Sequence, residues 1–148
     1  MKKKVFIFII VILLISCSAI KERLAVKECK FSLQSVAPHS FTFKNLKLDF
    51  KIKGENPNKV DAVLDRLTYT FFVNDQDVFS GTTGKGIKIP SGKSTSFLTT
   101  ITLEYSKIGE ALSTAIKLQK ASYKIKAKAY INTIIGEISY PIELELKK

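Results

Sequence analysis

Tyr123-Lys124-Ile125-Lys126-Ala127-Lys128-Ala129-Tyr130-Ile131 alternates apolar and basic side chains along its length. Period two puts Tyr123, Ile125, Ala127, Ala129 and Ile131 on one face of an extended strand and Lys124, Lys126 and Lys128 on the other. After a break at Asn132 to Gly136, Ile138, Tyr140, Ile142, Leu144 and Leu146 alternate with Glu137, Glu143 and Glu145. A hairpin in which Ile131 faces Ile138 sets Lys126 opposite Glu143 and Lys124 opposite Glu145. Cross-strand pairs of this kind contribute about 0.2–1 kcal/mol each and fix register. The lysine row is therefore half of an ion-pair ladder. A nucleic-acid groove would want unpaired lysines interleaved with exposed aromatics, and this face offers only Tyr130.

The same period recurs along the chain ahead of that hairpin. Upstream, Phe97, Thr99, Ile101, Leu103 and Tyr105 alternate, as do Leu67, Tyr69, Phe71 and Val73. Asn74-Asp75-Gln76-Asp77 breaks the second run before Val78 and Phe79, which predicts another hairpin. Phe31, Leu33 and Val36 begin the pattern. Phe41 and Phe43 hold odd positions while Leu46, Leu48, Phe50 and Ile52 hold even ones, so the phase slips near Asn45 and predicts a bulge or kink there. Lys47, Lys51 and Lys53 take the solvated face. Asn56-Pro57-Asn58, after Gly54, is the clearest structural turn: proline fixes its own φ and pushes Asn56 toward an extended conformation, and the short amides bond nearby backbone. Ile87 and Ile89 lead into a second turn at Pro90-Ser91-Gly92. Gly81, Gly84 and Gly86 lie between strand patterns rather than ahead of a helix, so they suit a bent edge better than a phosphate loop. The period changes once, at Ile108, Leu112, Ala115 and Ile116, which predicts one short amphipathic helix covering an open end of the sheet core.

At the front, Lys2, Lys3 and Lys4 precede eleven unbroken apolar residues, Val5 to Ile15. This is the layout of a secretory signal. The run falls short of the ~20 residues a helix needs to cross a bilayer. Leu14-Ile15-Ser16-Cys17 resembles the lipobox of bacterial lipoproteins, with leucine three before the cysteine and a small residue just before it. The resemblance implies diacylation of Cys17 Sγ, cleavage before it, and removal of residues 1–16 as a signal peptide. An ordinary cleaved signal with an accidental cysteine is the alternative. Residues 17–27, with Lys21, Arg23 and Lys27 against Glu22, form a lipidated tether, solvated or drawn to headgroups, and residues 28–148 form a single domain. Ser18 after the cysteine, by resemblance to Gram-negative sorting, directs the protein to the outer membrane, facing the periplasm; a single-membrane cell stays open.

The 132 residues from Cys17 to Lys148 suffice for one domain with one core. Loss of Lys2, Lys3 and Lys4 lowers the formal charge from +11 to +8. With Cys17 lipidated, Cys29 has no partner for an internal disulfide, and a buried small hydrophobe is its expected state. His39 is the single histidine and sits between Pro38 and Ser40 in an expected loop, exposed and without an acid near it in sequence. No metal site, cofactor or catalytic residue is expected, because no nucleophile, base and orienter converge in the pattern.

Leu48-Asp49-Phe50-Lys51-Ile52, then Asn56-Pro57-Asn58, then Leu67-Thr68-Tyr69-Thr70-Phe71-Phe72-Val73-Asn74, Gly81 and Pro90-Ser91-Gly92 before another strand: this order resembles the late embryogenesis abundant type 2 family, also described as the water stress and hypersensitive response domain. The likeness spans roughly Cys29 to Leu146. It implies an all-β fold, an antiparallel β-sandwich of fibronectin type III or immunoglobulin-like kind with about seven strands, together with one short helix. It also implies a non-catalytic protein linked to desiccation and water stress. The lipidated front end departs from that pattern. Two functions follow: a monomeric, membrane-anchored protein protective in desiccation or envelope stress, acting on protein clients or headgroups, or a tethered interaction module of an envelope assembly. An exposed apolar patch would favour the second, and Phe72 and Phe79 are the residues to inspect, with packing under the helix as the competing fate for Phe72.

Overall fold

The computed structural model describes Ser18 and residues 20–83 and 85–146. Nine strands are present among them: β1 (Lys30–His39), β2 (Asn45–Glu55), β3 (Ala62–Leu64), β4 (Arg66–Val73), β5 (Gln76–Thr82), β6 (Ile87–Ile89), β7 (Ser94–Glu104), β8 (Tyr123–Thr133) and β9 (Gly136–Glu145). Between β7 and β8 lie two helical segments, α1 (Tyr105–Ile108) and α2 (Glu110–Lys117). All pairings are antiparallel, in sheets ordered β1-β2-β7, β5-β4-β8-β9 and β3-β6. The two larger sheets face each other, as the ring of Phe50 on β2 shows by stacking 4.8 Å from that of Phe71 on β4. The result is a sandwich-like fold. Its strand number exceeds seven because β3 and β6, three residues each, form a separate small sheet.

The predicted β8–β9 register is the observed one, with Ile131 opposite Ile138, Lys126 opposite Glu143 and Lys124 opposite Glu145. Charge pairing concentrates on one lysine: Lys124 Nζ lies 3.1 Å from Glu145, 3.4 Å from Asp75 and 4.0 Å from Glu143. Lys126 instead covers the ring of Phe72, 5.5 Å from its centroid. The β4–β5 hairpin also forms, turning on Asn74 and Asp75, both at positive φ, which these two residues tolerate better than most.

Three sequence expectations change. The phase slip near Asn45 is the boundary between two strands. Chain reversal occurs over residues 40–44, with the Thr42 hydroxyl accepting from the Asn45 amide at 2.9 Å, and it leaves Phe41 and Phe43 exposed. The bulge lies earlier, in β1 between Leu33 and Ser35. The single amphipathic helix is divided at Gly109, whose φ of 77° an L side chain rarely adopts. Its stripe still does the expected work, since Ile108, Leu112 and Ile116 are buried across one end of the sandwich. The packed body also begins before residue 28. Residues 20–24 are helical, Ala25–Glu28 form a 3₁₀ turn, and Ala25 and Val26 are buried.

Apolar side chains gather in two clusters. The larger, at the helix end, joins Leu48, Phe50, Phe71, Ile101 and Tyr123 to the helical stripe. The smaller, at the opposite end, joins Ala25, Val26, Ala62, Leu64, Ile89 and Ile131.

Candidate functional site

The smaller cluster is held by the Asn-Pro-Asn turn. Asn56 leaves β2 toward the space under β6, and its side chain is buried at 2% exposure. A buried amide that fails to find partners costs about 1–3 kcal/mol per group, so its contacts decide whether the turn is tolerable. All are made. Asn56 Nδ2 donates to the carbonyls of Val60 and Ile89, both at 2.9 Å, and Oδ1 accepts from the Asn58 amide at 3.0 Å and from Asn58 Nδ2 at 2.8 Å. Asn58 Nδ2 also reaches the Ala25 carbonyl at 2.9 Å, and the Asn58 carbonyl accepts from Gly92 and from the Ser91 hydroxyl. Pro57 has no N–H to satisfy, which suits the position between them. The motif predicted as a local turn is thus a clasp that ties the 3₁₀ turn, the end of β2, β6 and the β6–β7 turn together.

Asp65 makes the second tie at this end. Its carboxylate accepts from the Asn132 amide at 2.7 Å and faces the Arg23 guanidinium at 3.3 Å. Burial pushes the carboxyl up, but the amide and the guanidinium outweigh it and hold Asp65 below the usual carboxylate range. Arg23, in the stretch expected to be a solvated tether, is thereby docked on the domain. Nothing in residues 20–28 announces this, because the cue is a charge partner 42 positions away. Cys29, half-buried and free, sits beside the same turn; its thiol donates to the Ala25 carbonyl at 3.5 Å, and burial first, then Glu28, pushes its pKa up to about 11. The lipobox residues Leu14, Ile15, Ser16 and Cys17 lie outside the described residues.

At the other end His39 is not in a free loop. It closes β1, with Nδ1 3.0 Å from the Ser40 hydroxyl and Nε2 3.1 Å from Asp49 on β2, an acid distant in sequence. Asp49 is held below its usual range by a hydrogen bond from Thr100 first and by His39 second. Serine, histidine and aspartate therefore meet here, on an open strand end where Ser40 is exposed and Asp49 is already engaged by Thr100. Among the described residues no group of three or more His, Cys, Asp and Glu side chains could hold a metal, and no helix is long and apolar enough to cross a membrane.

Between the two clusters the sheets leave a cavity of about 50 Å³ lined by Phe31, Ile52, Tyr69, Phe97, Ile125 and Leu144 among others. A water needs roughly 10–15 Å³ of such volume together with two to four polar partners. The lining is mostly apolar, with hydroxyls only on Tyr69, Thr83 and Thr99, and that of Thr83 already accepts from the Leu67 amide, so the space reads as a packing gap between two cores. Phe79 packs on the larger core beside Tyr69, and Phe72 is half-buried on the outer face under Lys126 rather than beneath the helix.

Fold and clasp define an antiparallel, sandwich-like β domain. Residues 51–146 match the model of the late embryogenesis abundant protein family, and the chain belongs to that family, type 2. The match begins within β2 and runs to the residue after β9, taking in the clasp. No curated protein matches the chain. Among solved structures, a solution structure from Arabidopsis thaliana is 16% identical, with 80% of each chain covered and a TM-score of 0.58. A second solution structure, of a protein assigned as late embryogenesis abundant, is 17% identical over 98% of this chain and 84% of the other, at a TM-score of 0.50. A crystal structure from Archaeoglobus fulgidus is 19% identical over 78% of this chain and 97% of that one, at 0.47.

Proposed function

We propose that the protein is a membrane-anchored, non-catalytic lipoprotein whose late embryogenesis abundant type 2 domain, a sandwich of the fibronectin type III or immunoglobulin-like kind, protects proteins or lipid headgroups during desiccation or envelope stress. The observation that carries this is family membership across residues 51–146. The lipobox at Leu14 to Cys17 supports the anchor, with diacylated Cys17 setting the place of action. In a two-membrane cell, Ser18 directs it to the periplasmic face of the outer membrane. Sandwich faces rich in lysine, with a formal charge of +8 for Cys17 to Lys148, suit a monomer that keeps a hydration layer and resists self-association.

A second reading, a tethered docking module, is favoured by Phe41 and Phe43 in the β1–β2 loop, 50% and 104% exposed. Large apolar side chains held in solvent suit a protein partner. Drying or freezing a fragile enzyme with anionic vesicles, with and without the protein, separates the two. Recovery well above that given by an unrelated immunoglobulin-type domain of similar charge supports protection. Recovery equal to that control sinks it and leaves the docking module, to be sought by crosslinking through the β1–β2 loop. Mass spectrometry of the mature amino terminus tests the anchor separately.

A further inference from the structure

The two tight hairpins of the larger sheet turn on very different residues. One uses Asn74 and Asp75, polar and at positive φ. The other uses Ile134 and Ile135, neither at positive φ, with Gly136 after them at 125° and the Thr133 hydroxyl donating to the Gly136 carbonyl at 2.7 Å. Turn geometry does not call for isoleucine there, since two-residue hairpin loops favour Asn, Asp and Gly. The core does not call for it either, because Ile134 and Ile135 are 82% and 86% exposed.

Their place in the fold supplies the reason. Asn132, two residues before Ile134, donates to Asp65, and Asp65 pairs with Arg23. Arg23 lies six positions after Cys17, a reach of at most roughly 20 Å even if fully extended. Exposed Leu24 and Val60 lie at the same end, since Leu24 adjoins Arg23 and Val60 contributes its carbonyl to the clasp. The β1–β2 loop with Phe43 is at the helix end, about one strand length away, on the order of 30 Å. The chain that leads to the anchor therefore starts beside the isoleucine tip.

We propose that Ile134 and Ile135 dip into the bilayer surface next to lipidated Cys17 and fix how the domain stands on the membrane, with the clasp end down and the helix end outward. This rests on the lipoprotein assignment above. A lipid chain resists detachment but leaves orientation free. Two apolar side chains buried at the boundary of headgroups and acyl chains add a second point of contact and remove that freedom.

The chain contains no tryptophan, so one placed at the tip reports its surroundings without background. Full-length Ile135→Trp and Phe43→Trp proteins, matured in cells and reconstituted into phosphatidylethanolamine–phosphatidylglycerol vesicles, are each exposed to iodide in the water and to brominated acyl chains in the membrane. The expected result is an Ile135→Trp emission that is blue-shifted, shielded from iodide and quenched several-fold more by brominated lipid than that of Phe43→Trp. Equal behaviour of the two, or deeper quenching of Phe43→Trp, overturns the proposal. So does shielding from iodide without quenching by brominated lipid, which would place a second copy of the chain on the tip. Mass spectrometry of Cys17 on the same samples keeps the two ideas apart. A lipidated protein with a water-exposed tip sinks the tip and spares the anchor, whereas an unlipidated protein whose tip is quenched by brominated lipid does the reverse.

Discussion

The two ends of the sandwich are stabilised in different ways. At the helix end a large cluster closes over stacked aromatics, Phe50 on Phe71 and Phe71 near Tyr123, with the α1–α2 stripe as a lid. At the clasp end the cluster is built from small and medium side chains, and its geometry is held by the amides of Asn56 and Asn58 and the carboxylate of Asp65. Burial of apolar area is non-directional and tolerates small shifts. A hydrogen-bonded clasp tolerates few, because each buried group must meet its own partner. One end therefore supplies bulk stability, and the other fixes where the amino-terminal segment leaves the domain.

That contrast can be broken first at the larger core. Phe71→Ala removes a fully buried ring and should cost about 4 kcal/mol, read as a lower urea midpoint for the whole domain. Asn56→Ala should cost less, about 3 kcal/mol, by leaving the Val60 and Ile89 carbonyls without a donor. Its effect should be local: hydrogen exchange should quicken in β3 and β6 well before it does in α2. Uniform acceleration would show that the clasp is part of one indivisible core.

Asp65 gives a smaller and pH-dependent probe. Its carboxyl is held below the ordinary range in the folded protein, so its contribution is fully present above the unfolded value near 4 and is lost as pH falls through the folded one. Asp65→Asn should cost roughly 1 kcal/mol at neutral pH and remove the part of the acid-induced loosening of residues 20–28 that depends on this group. Hydrogen exchange across pH 5 to 2 in both proteins checks it. The mildest probe is chemical. Burial pushes the Cys29 thiol up to about 11 from an ordinary 9.0; the smaller thiolate fraction outweighs the greater nucleophilicity of that thiolate, so Cys29 should react with iodoacetamide roughly tenfold more slowly than a free thiol at the same neutral pH. Asn56→Ala should raise that rate while Phe41→Ser leaves it unchanged.

The sheet was legible because alternation and register are local and redundant. Ile131 opposite Ile138 needed only a count of residues, and the lysine–glutamate ladder agreed with it. The amphipathic stripe at Ile108, Leu112 and Ile116 was legible for the same reason, though not the break at Gly109, since a glycine within a helical pattern carries no sign of its φ. The division into two strands around Thr42 was hidden because Phe41 and Phe43 keep strand alternation while facing solvent. At the clasp end, Asn56-Pro57-Asn58 was visible as a turn, but its buried partners at Ala25, Ile89 and Lys93 are contacts across long stretches of chain that no local pattern encodes. Ile134 and Ile135 stood in plain view within the Asn132 to Gly136 break. Their meaning depends on Asp65 and Arg23 placing that turn beside the amino terminus.

The span of the Asn56 contacts also bears on how the chain folds. Its amide bridges 33 residues to Ile89, and through Asn58 the turn reaches another 33 back to Ala25. Closing two loops of that length carries an entropic cost that only the finished clasp offsets, so the nucleus should form where contacts are nearer, in the β4–β5 and β8–β9 hairpins. The clasp is then the last part to close and the first to open. Removing Asn56 should quicken unfolding while leaving the folding rate almost untouched, the kinetic signature of an interaction absent from the transition state.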